Sequence, residues 1–224
     1  VPQEGAVNHI SIADLDSFEA IDETGKFTAG TYTFGDLTIT PDNKDRAYYE
    51  GKKNYGTQGY SSFAFEDGYC SEGMYYCNGK GGEGKRYLLL SNVHSGDIIT
   101  FYARLSNSGD EKIHFASVNA GGEKDGIQDE VAPITSVSTM YSYIAETSGS
   151  YKVYTEANVG KAVYYRITRT PGVSVSGKIS GLPSEDASLK FIVKETKQEI
   201  SAKITGNSYS AGLPKNHSYT AVVS

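Results

Sequence analysis

The chain has no tryptophan, only two cysteines, two methionines and six prolines in 224 residues. It also lacks any run of about 20 consecutive apolar residues, the length a membrane helix requires, so no membrane insertion is expected. The start, Val1-Pro2-Gln3-Glu4, carries no basic and apolar signal region and reads as a mature protein or an excised piece. Basic charge is scarce: 21 Lys and Arg stand against 27 Asp and Glu, for a formal net charge of −6. A phosphate backbone is held by clustered Lys and Arg, so nucleic acid is not an expected partner. The four histidines, His9, His94, His114 and His217, have neither metal-ligand nor triad spacing. No serine stands in a Gly-x-Ser-x-Gly elbow. A carboxylate pair of the glycosidase kind has dozens of candidates in any acidic β-protein. The chain is therefore read as not an enzyme.

What is present points to a folded β protein. Apolar residues make up 38% and charged residues 21% of the chain, neither a disordered nor a membrane composition. Eighteen tyrosines against eight phenylalanines give many rings whose hydroxyl tolerates water, as half-exposed strands and wet binding surfaces favour. Helical periodicity is scarce, and short alternating or β-branched runs recur between turn signals. Candidate strands are 30–34, 37–40, 61–65, 86–91, 97–105, 112–118, 139–144, 149–156 and 161–168. Within 97–105, Ile98, Thr100, Tyr102 and Arg104 alternate with Ile99, Phe101, Ala103 and Leu105, as in a central strand. The fold class expected is all-β, with residues 1–171 a jelly-roll-type sandwich. Around Thr170-Pro171-Gly172 the pattern changes. Residues 172–224 hold a second set of short strands, at 173–179, 188–194, 199–204, 208–211 and 218–223. About 50 residues is near the lower limit for an independent core, so this small immunoglobulin-like domain is expected to pack on the first, to be truncated, or both.

Several motifs carry chemistry or mimic it. Gly79-Lys80-Gly81-Gly82-Glu83-Gly84-Lys85 satisfies two phosphate-loop strings, but Arg86 stands where Ser or Thr is needed and a strand follows, not a helix. It reads as a flexible loop. Asp125-Gly126-Ile127-Gln128-Asp129-Glu130 reads as a solvated acidic loop, with a structural calcium as the alternative; no other cofactor is indicated. The most informative stretch is 45–86, where tyrosines interleave with Asp, Asn, Gln, Lys and Arg. A sugar offers an apolar C–H face and a fringe of hydroxyls, so its site needs an aromatic plane beside amide or charged groups. On that ground Tyr75, Tyr76, Asn78, Lys80, Glu72, Arg86, Tyr55 and Tyr60 are the candidate carbohydrate-binding residues, with Tyr75 or Tyr76 as the stacking platform; the alternative is that the tyrosines simply cover the sandwich. Cys70 and Cys77, close in a chain that otherwise reads as secreted, are expected to pair in a disulfide. Such a short ring is worth about 2 to 3 kcal/mol. Two free thiols in a cytosolic protein is the alternative.

The run Thr31-Tyr32-Thr33-Phe34-Gly35-Asp36-Leu37-Thr38-Ile39-Thr40, the approach to Arg86-Tyr87-Leu88-Leu89-Leu90, the strand 97–105, and the closing segments at 141–144, 147–154 and 162–167 resemble the jelly-roll modules of bacterial pectinolytic and other polysaccharide-active secreted proteins. The tail, with Val175-Ser176-Gly177-Lys178-Ile179-Ser180-Gly181-Leu182-Pro183 and Gly206-Asn207-Ser208-Tyr209-Ser210-Ala211-Gly212-Leu213-Pro214, resembles the small immunoglobulin-like repeats that follow them. The resemblance covers roughly 27–224, and the Cys70–Cys77 segment is not part of its pattern. It implies an extracellular, non-catalytic carbohydrate-binding module within a larger multidomain secreted or cell-surface protein, as in starch-adherence assemblies of gut Firmicutes. A polysaccharide or oligosaccharide is the expected partner, with a slight preference for starch; pectin is the alternative glycan. A structural or adhesion spacer is the competing function.

Overall fold

Runs of β-branched and aromatic residues between glycine turns favour strands, and the computed structural model contains no helix among the residues it describes. Those are 10–11, 26–42, 47–50, 63–71, 74–79, 81–107, 109, 111–156, 162–181 and 186–224, with the backbone alone at 10–11 and 47–50. The first sandwich is built from β1 (Ile10–Ser11), β2 (Tyr32–Phe34), β3 (Leu37–Ile39), β4 (Ala47–Glu50), β5 (Met74–Cys77), β6 (Leu88–Val93), β7 (Ile98–Leu105), β8 (Glu111–Val118), β9 (Lys124–Ile134), β10 (Thr139–Ile144), β11 (Gly149–Glu156) and β12 (Ala162–Thr170).

These strands form two antiparallel sheets. The first runs β10-β7-β12-β5-β4 with β1 beside β12, and the second runs β2-β3-β6-β11-β8-β9. Numbering β5 to β12 from one to eight, the sheets read 6-3-8-1 and 2-7-4-5, the jelly-roll order. Alternate side chains of both sheets meet inside, among them Leu88, Leu90, Phe101, Leu105, Ile113, Phe115, Tyr151, Val153 and Tyr164. Phe115 stacks on Tyr151 with ring centroids 4.4 Å apart. As its two-sided alternation suggests, β7 is central, flanked by β10 and β12.

β9 was expected to be loop at 125–130. It is an edge strand, where Pro133 costs no ladder bond. Its register slips between Ala116 and Val118, where residues 125–128 fall outside the regular pairing while Asp129 and Glu130 pair with Ala116 and Phe115. Residues 74–77, also expected in a loop, form β5 because both faces of this short run are buried. The expected strand at 61–65 is, in its described part, a single bridge between Ala64 and Cys70.

The second sandwich holds β13 (Val173–Lys178), β14 (Leu189–Val193), β15 (Glu199–Ser201), β16 (Lys203–Thr205), β17 (Ser208–Leu213) and β18 (Tyr219–Val223). Its sheets are β13-β17-β16 and β15-β14-β18. The single strand expected at 199–204 is two: the chain changes sheets at Ala202, whose N–H donates to the Leu189 carbonyl at 2.8 Å.

The two sandwiches meet closely. Ile144 at the end of β10 is buried with Val193, Ile200 and Leu213, and Ile98 packs against them. The small core is thus enlarged by side chains of the large one. Three glycines bring backbone against backbone: a Cβ at Gly96 would lie 2.5 Å from Gly212 C, one at Gly172 2.7 Å from Gly96 C, and one at Gly212 1.9 Å from Ser95 O. Asp97, 3% exposed, pins the seam by accepting from Gly172 N at 3.0 Å and His94 N at 2.8 Å. Ser95 Oγ donates to the Glu146 and Gly212 carbonyls, at 3.1 and 3.2 Å.

Candidate functional site

The residues expected to hold a sugar do not form one exposed platform. Tyr75 and Tyr76 lie on β5 and are 3% and 4% exposed. Tyr75 points into the core and Tyr76 into an aromatic cluster on the outer face of the same sheet. Burial raises the Tyr75 hydroxyl well above its ordinary pKa. Arg86 is held by Asp42 at 2.8 Å, and Asn78 is half-buried beside β5. Tyr55, Tyr60, Glu72 and Lys80 lie outside the described residues.

The expected disulfide is absent. Cys70 and Cys77 are free thiols, the first exposed and the second buried. Cys77 belongs to the sandwich core, whereas Cys70 sits on the segment 63–71 that covers the opposite face of the sheet. The sheet itself separates the two sulfurs. Burial pushes the Cys77 thiol up to about 12.

The outer face of the β2–β9 sheet is partly covered. The glycine-rich loop lies over it: Lys152 Nζ donates to the Glu83 carbonyl at 3.0 Å and stands 4.1 Å over the Tyr87 ring, and Lys124 N donates to Glu83 Oε1 at 3.1 Å. A Cβ at Gly81 would meet Thr155 O at 2.7 Å, so glycine here permits backbone contact and makes no phosphate cradle. Beside the loop, His114 stacks on Tyr154 and is held by Asp129 Oδ1 at 2.9 Å, while Lys124 Nζ takes Asp129 Oδ2 at 3.0 Å. Asp125 accepts from Ser117 Oγ and Ile127 N. The carboxylates considered for calcium are thus turned on protein donors, and among the described residues no group of three His, Cys, Asp or Glu could hold a metal.

The outer face of the other sheet is where aromatic, charged and hydroxyl groups meet at the surface. The turn Phe65-Glu66-Asp67-Gly68-Tyr69 is closed by Phe65 N–H donating to Tyr69 O at 2.8 Å, with Gly68 at φ 87°. It sets Asp67 over β7, where Tyr102 Oη donates to Asp67 Oδ2 at 2.6 Å. Tyr69 N donates to Asp67 Oδ1 at 3.0 Å. The Tyr102 hydrogen bond, aided by Tyr69 N–H and the Arg166 charge against a smaller desolvation, holds the Asp67 carboxyl below its usual range. Burial and the Asp67 carboxylate raise the Tyr102 hydroxyl to about 12.

Arg166, opposite Tyr102 on β12, stands 4.6 Å over the Tyr69 ring and 5.3 Å from Tyr102. Arg104 stands 4.2 Å over Phe63. Two residues along the same face, Thr100 lies opposite Thr168 and shares a 2.8 Å hydroxyl bond with Ser142. A half-buried ring, a carboxylate and a guanidinium therefore border a short hydroxyl row, between the 63–71 segment and the seam with the second sandwich. Its residues were legible in part: Thr100, Tyr102 and Arg104 are the polar half of the β7 alternation. Tyr69 belongs to the tyrosine-rich stretch 45–86, whereas Asp67 carried only the signal of a Glu-Asp-Gly-Tyr turn.

A groove of about 580 Å³ lies at the seam, lined by His94, Glu146, Ser148, Ser201, Lys203 and Ser210. Although Ser95, His94 and Asp97 are neighbours there, the Ser95 hydroxyl is donated to two carbonyls and the His94 ring faces Asp97 at 3.7 Å. Among the described residues, no base stands at the serine.

No protein-family profile matches the chain, and no curated protein matches it in sequence. Among solved structures it is similar to a family two carbohydrate esterase from Cellvibrio japonicus, with a TM-score of 0.32 and 10% identity over 74% of this chain. The match spans 34% of that protein's length.

Proposed function

We propose that this chain is a non-catalytic carbohydrate-binding module that works outside the cell, and that its glycan site is the outer face of the β10-β7-β12-β5-β4 sheet. The observation that carries the reading is the Asp67, Tyr69, Tyr102 and Arg166 cluster beside Thr100, Ser142 and Thr168. A pyranose presents hydroxyls that donate to a carboxylate and accept from a guanidinium, while its C–H face lies against a ring. Arg166 is pre-set by its stacking on two rings, which lowers the entropy cost of ordering a site.

A neutral polysaccharide, with an α-glucan such as starch first, suits this mixture of charges. Pectin would call for a cluster of unpaired cations, and Arg86, which stands near Lys80 and Lys85 in the sequence, is already bound to Asp42. The close glycine seam favours one further reading, a rigid spacer in a larger surface protein. Retardation of the protein in gels containing soluble polysaccharides separates the two readings, because a spacer migrates at the same rate in every gel.

A further inference from the structure

The groove at the seam has the size and the place of a small-molecule site. Its volume of about 580 Å³ falls within the roughly 300 to 1,000 Å³ of ligand clefts, which favour domain interfaces. Three parts of the chain line it: the first sandwich with Glu146 and Ser148, the crossing between sandwiches with Pro171 and Val173, and the second sandwich with Lys203 and Ser210. The walls are tied together, because Ser95 Oγ donates to the carbonyls of Glu146 in one sandwich and Gly212 in the other. A groove fixed by the fold itself needs little further ordering when a ligand enters, which favours binding.

The polar groups of the groove include both donors and acceptors. Ser148 Oγ accepts from Ser95 N at 2.9 Å, which leaves its own proton to give. The Glu146 carboxylate is half-buried, and no side-chain donor reaches it among the described residues. Burial, with the charges of Glu130 and Glu199 nearby, raises its pKa. A carboxylate in that state gains from any O–H donor that a ligand brings. Lys203 and Ser210 stand opposite each other on β16 and β17, both exposed on the same face. Pro171 and Val173, the latter 39% exposed, add an apolar strip. Vicinal sugar hydroxyls both donate and accept, and the ring carbons present C–H groups to such a strip. An inorganic anion brings acceptors and a charge of the same sign as Glu146. With one carboxylate and one ammonium in the lining, a neutral ligand meets no net opposing charge.

We infer that the seam groove is a second saccharide site, which takes a free neutral sugar of one or two rings between Glu146 and Ser148 of the first sandwich and Lys203 and Ser210 of the second. It is separate from the sheet face that carries Arg166, and it stands whether or not that face holds a polysaccharide. Its limited volume suits a free sugar, whereas a polymer chain needs a longer track.

Amide chemical shifts of the isotope-labelled 224-residue chain test this, in titrations with glucose, galactose, maltose and cellobiose to about 50 mM, well above a millimolar Kd. The expected result is saturable movement of the Ser95, Gly172, Ser210 and Gly212 amides with at least one of these sugars, equally in the wild type and in Arg166→Ala. Glu146→Gln should weaken the affinity about tenfold, the difference between a hydrogen bond to a charged group and one to a neutral group. Ser210→Phe, at an exposed position, fills the groove and should abolish the movement while the protein stays cooperatively folded. Inorganic phosphate should move none of these amides. No movement with any of the four sugars overturns the inference, and so does movement with phosphate alone or an affinity unchanged in both groove variants. Movement confined to Thr100, Tyr102 and Arg166 also overturns it and favours the sheet face instead; a wild type that no polysaccharide gel retards leaves it standing.

Discussion

At the residue scale, the direction in which a side chain leaves its sheet decides its chemistry. Cys77 points into the core and Cys70 lies on the opposite face, so the native protein should present one thiol to a thiol reagent such as Ellman's, Cys70, and release Cys77 only on denaturation; two rapid thiols, or none, would contradict this placement. The same burial makes the fold sensitive to alkali. The folded values of Cys77 and Tyr102 both stand at about 12, above those in an unfolded chain. Their stabilisation is complete below about pH 9, the ordinary thiol range, and is lost as pH rises through 12. Urea midpoints should therefore fall between pH 9 and 12, and fall less over the thiol part of that range in Cys77→Ala. Tyr75, read from sequence as an exposed platform, is a core ring in contact with Phe27. Tyr75→Ala should cost about 3 to 5 kcal/mol of stability, measured by chemical denaturation; an unchanged stability would return the ring to the surface.

At the element scale, strands bounded by clear turn signals were legible, the short β2 and β3 and the edge strand β10 among them, whereas β5 and β9 were not. β7, β8, β10, β11 and β12 carry Val, Ile, Tyr and Phe at alternate positions, and the expected spans lie within one or two residues of the observed ones. β9 was hidden because an edge strand tolerates Gly126, Pro133 and three acids, which in a central strand would exclude it. β5 was hidden because Met-Tyr-Tyr-Cys has no polar face to alternate with, its two sides being covered by different clusters. The site suffered the same loss. Its strand residues on β7 and β12 were visible as an alternation, whereas the pairing that brings the 63–71 segment over them is long-range and leaves no local mark. The seam between sandwiches was likewise illegible, since its glycines stand far apart in sequence at 96, 172 and 212. It is testable on one strand: Gly212→Ala drives a Cβ into the Ser95 carbonyl and should destabilise by about 1 to 3 kcal/mol. Gly84→Ala, in open space, serves as the neutral control. Equal melting temperatures for the two variants would show that the seam yields without cost.

At the scale of the whole molecule, a jelly roll and a smaller sandwich share core side chains and a close backbone seam, so the outer face of one sheet is presented at a fixed angle to the second sandwich. One sheet face is partly covered by the glycine-rich loop, and the other gathers a half-buried ring, a carboxylate, a guanidinium and hydroxyls. That asymmetry is the basis for placing glycan binding there. Its most direct test is migration in native gels cast with a panel of soluble neutral polysaccharides, α-glucans included, for the wild type and for Arg166→Ala. The wild type should be retarded by at least one of them, and about equally at low salt and at about 0.5 M, because screening acts on exposed charges and little on stacking or hydrogen bonds. Arg166→Ala should lose about 1.5 to 3 kcal/mol of binding, the worth of a hydrogen bond made by a charged group, while remaining cooperatively folded. Free migration of the wild type in every polysaccharide, or equal retardation of Arg166→Ala, would contradict the assignment.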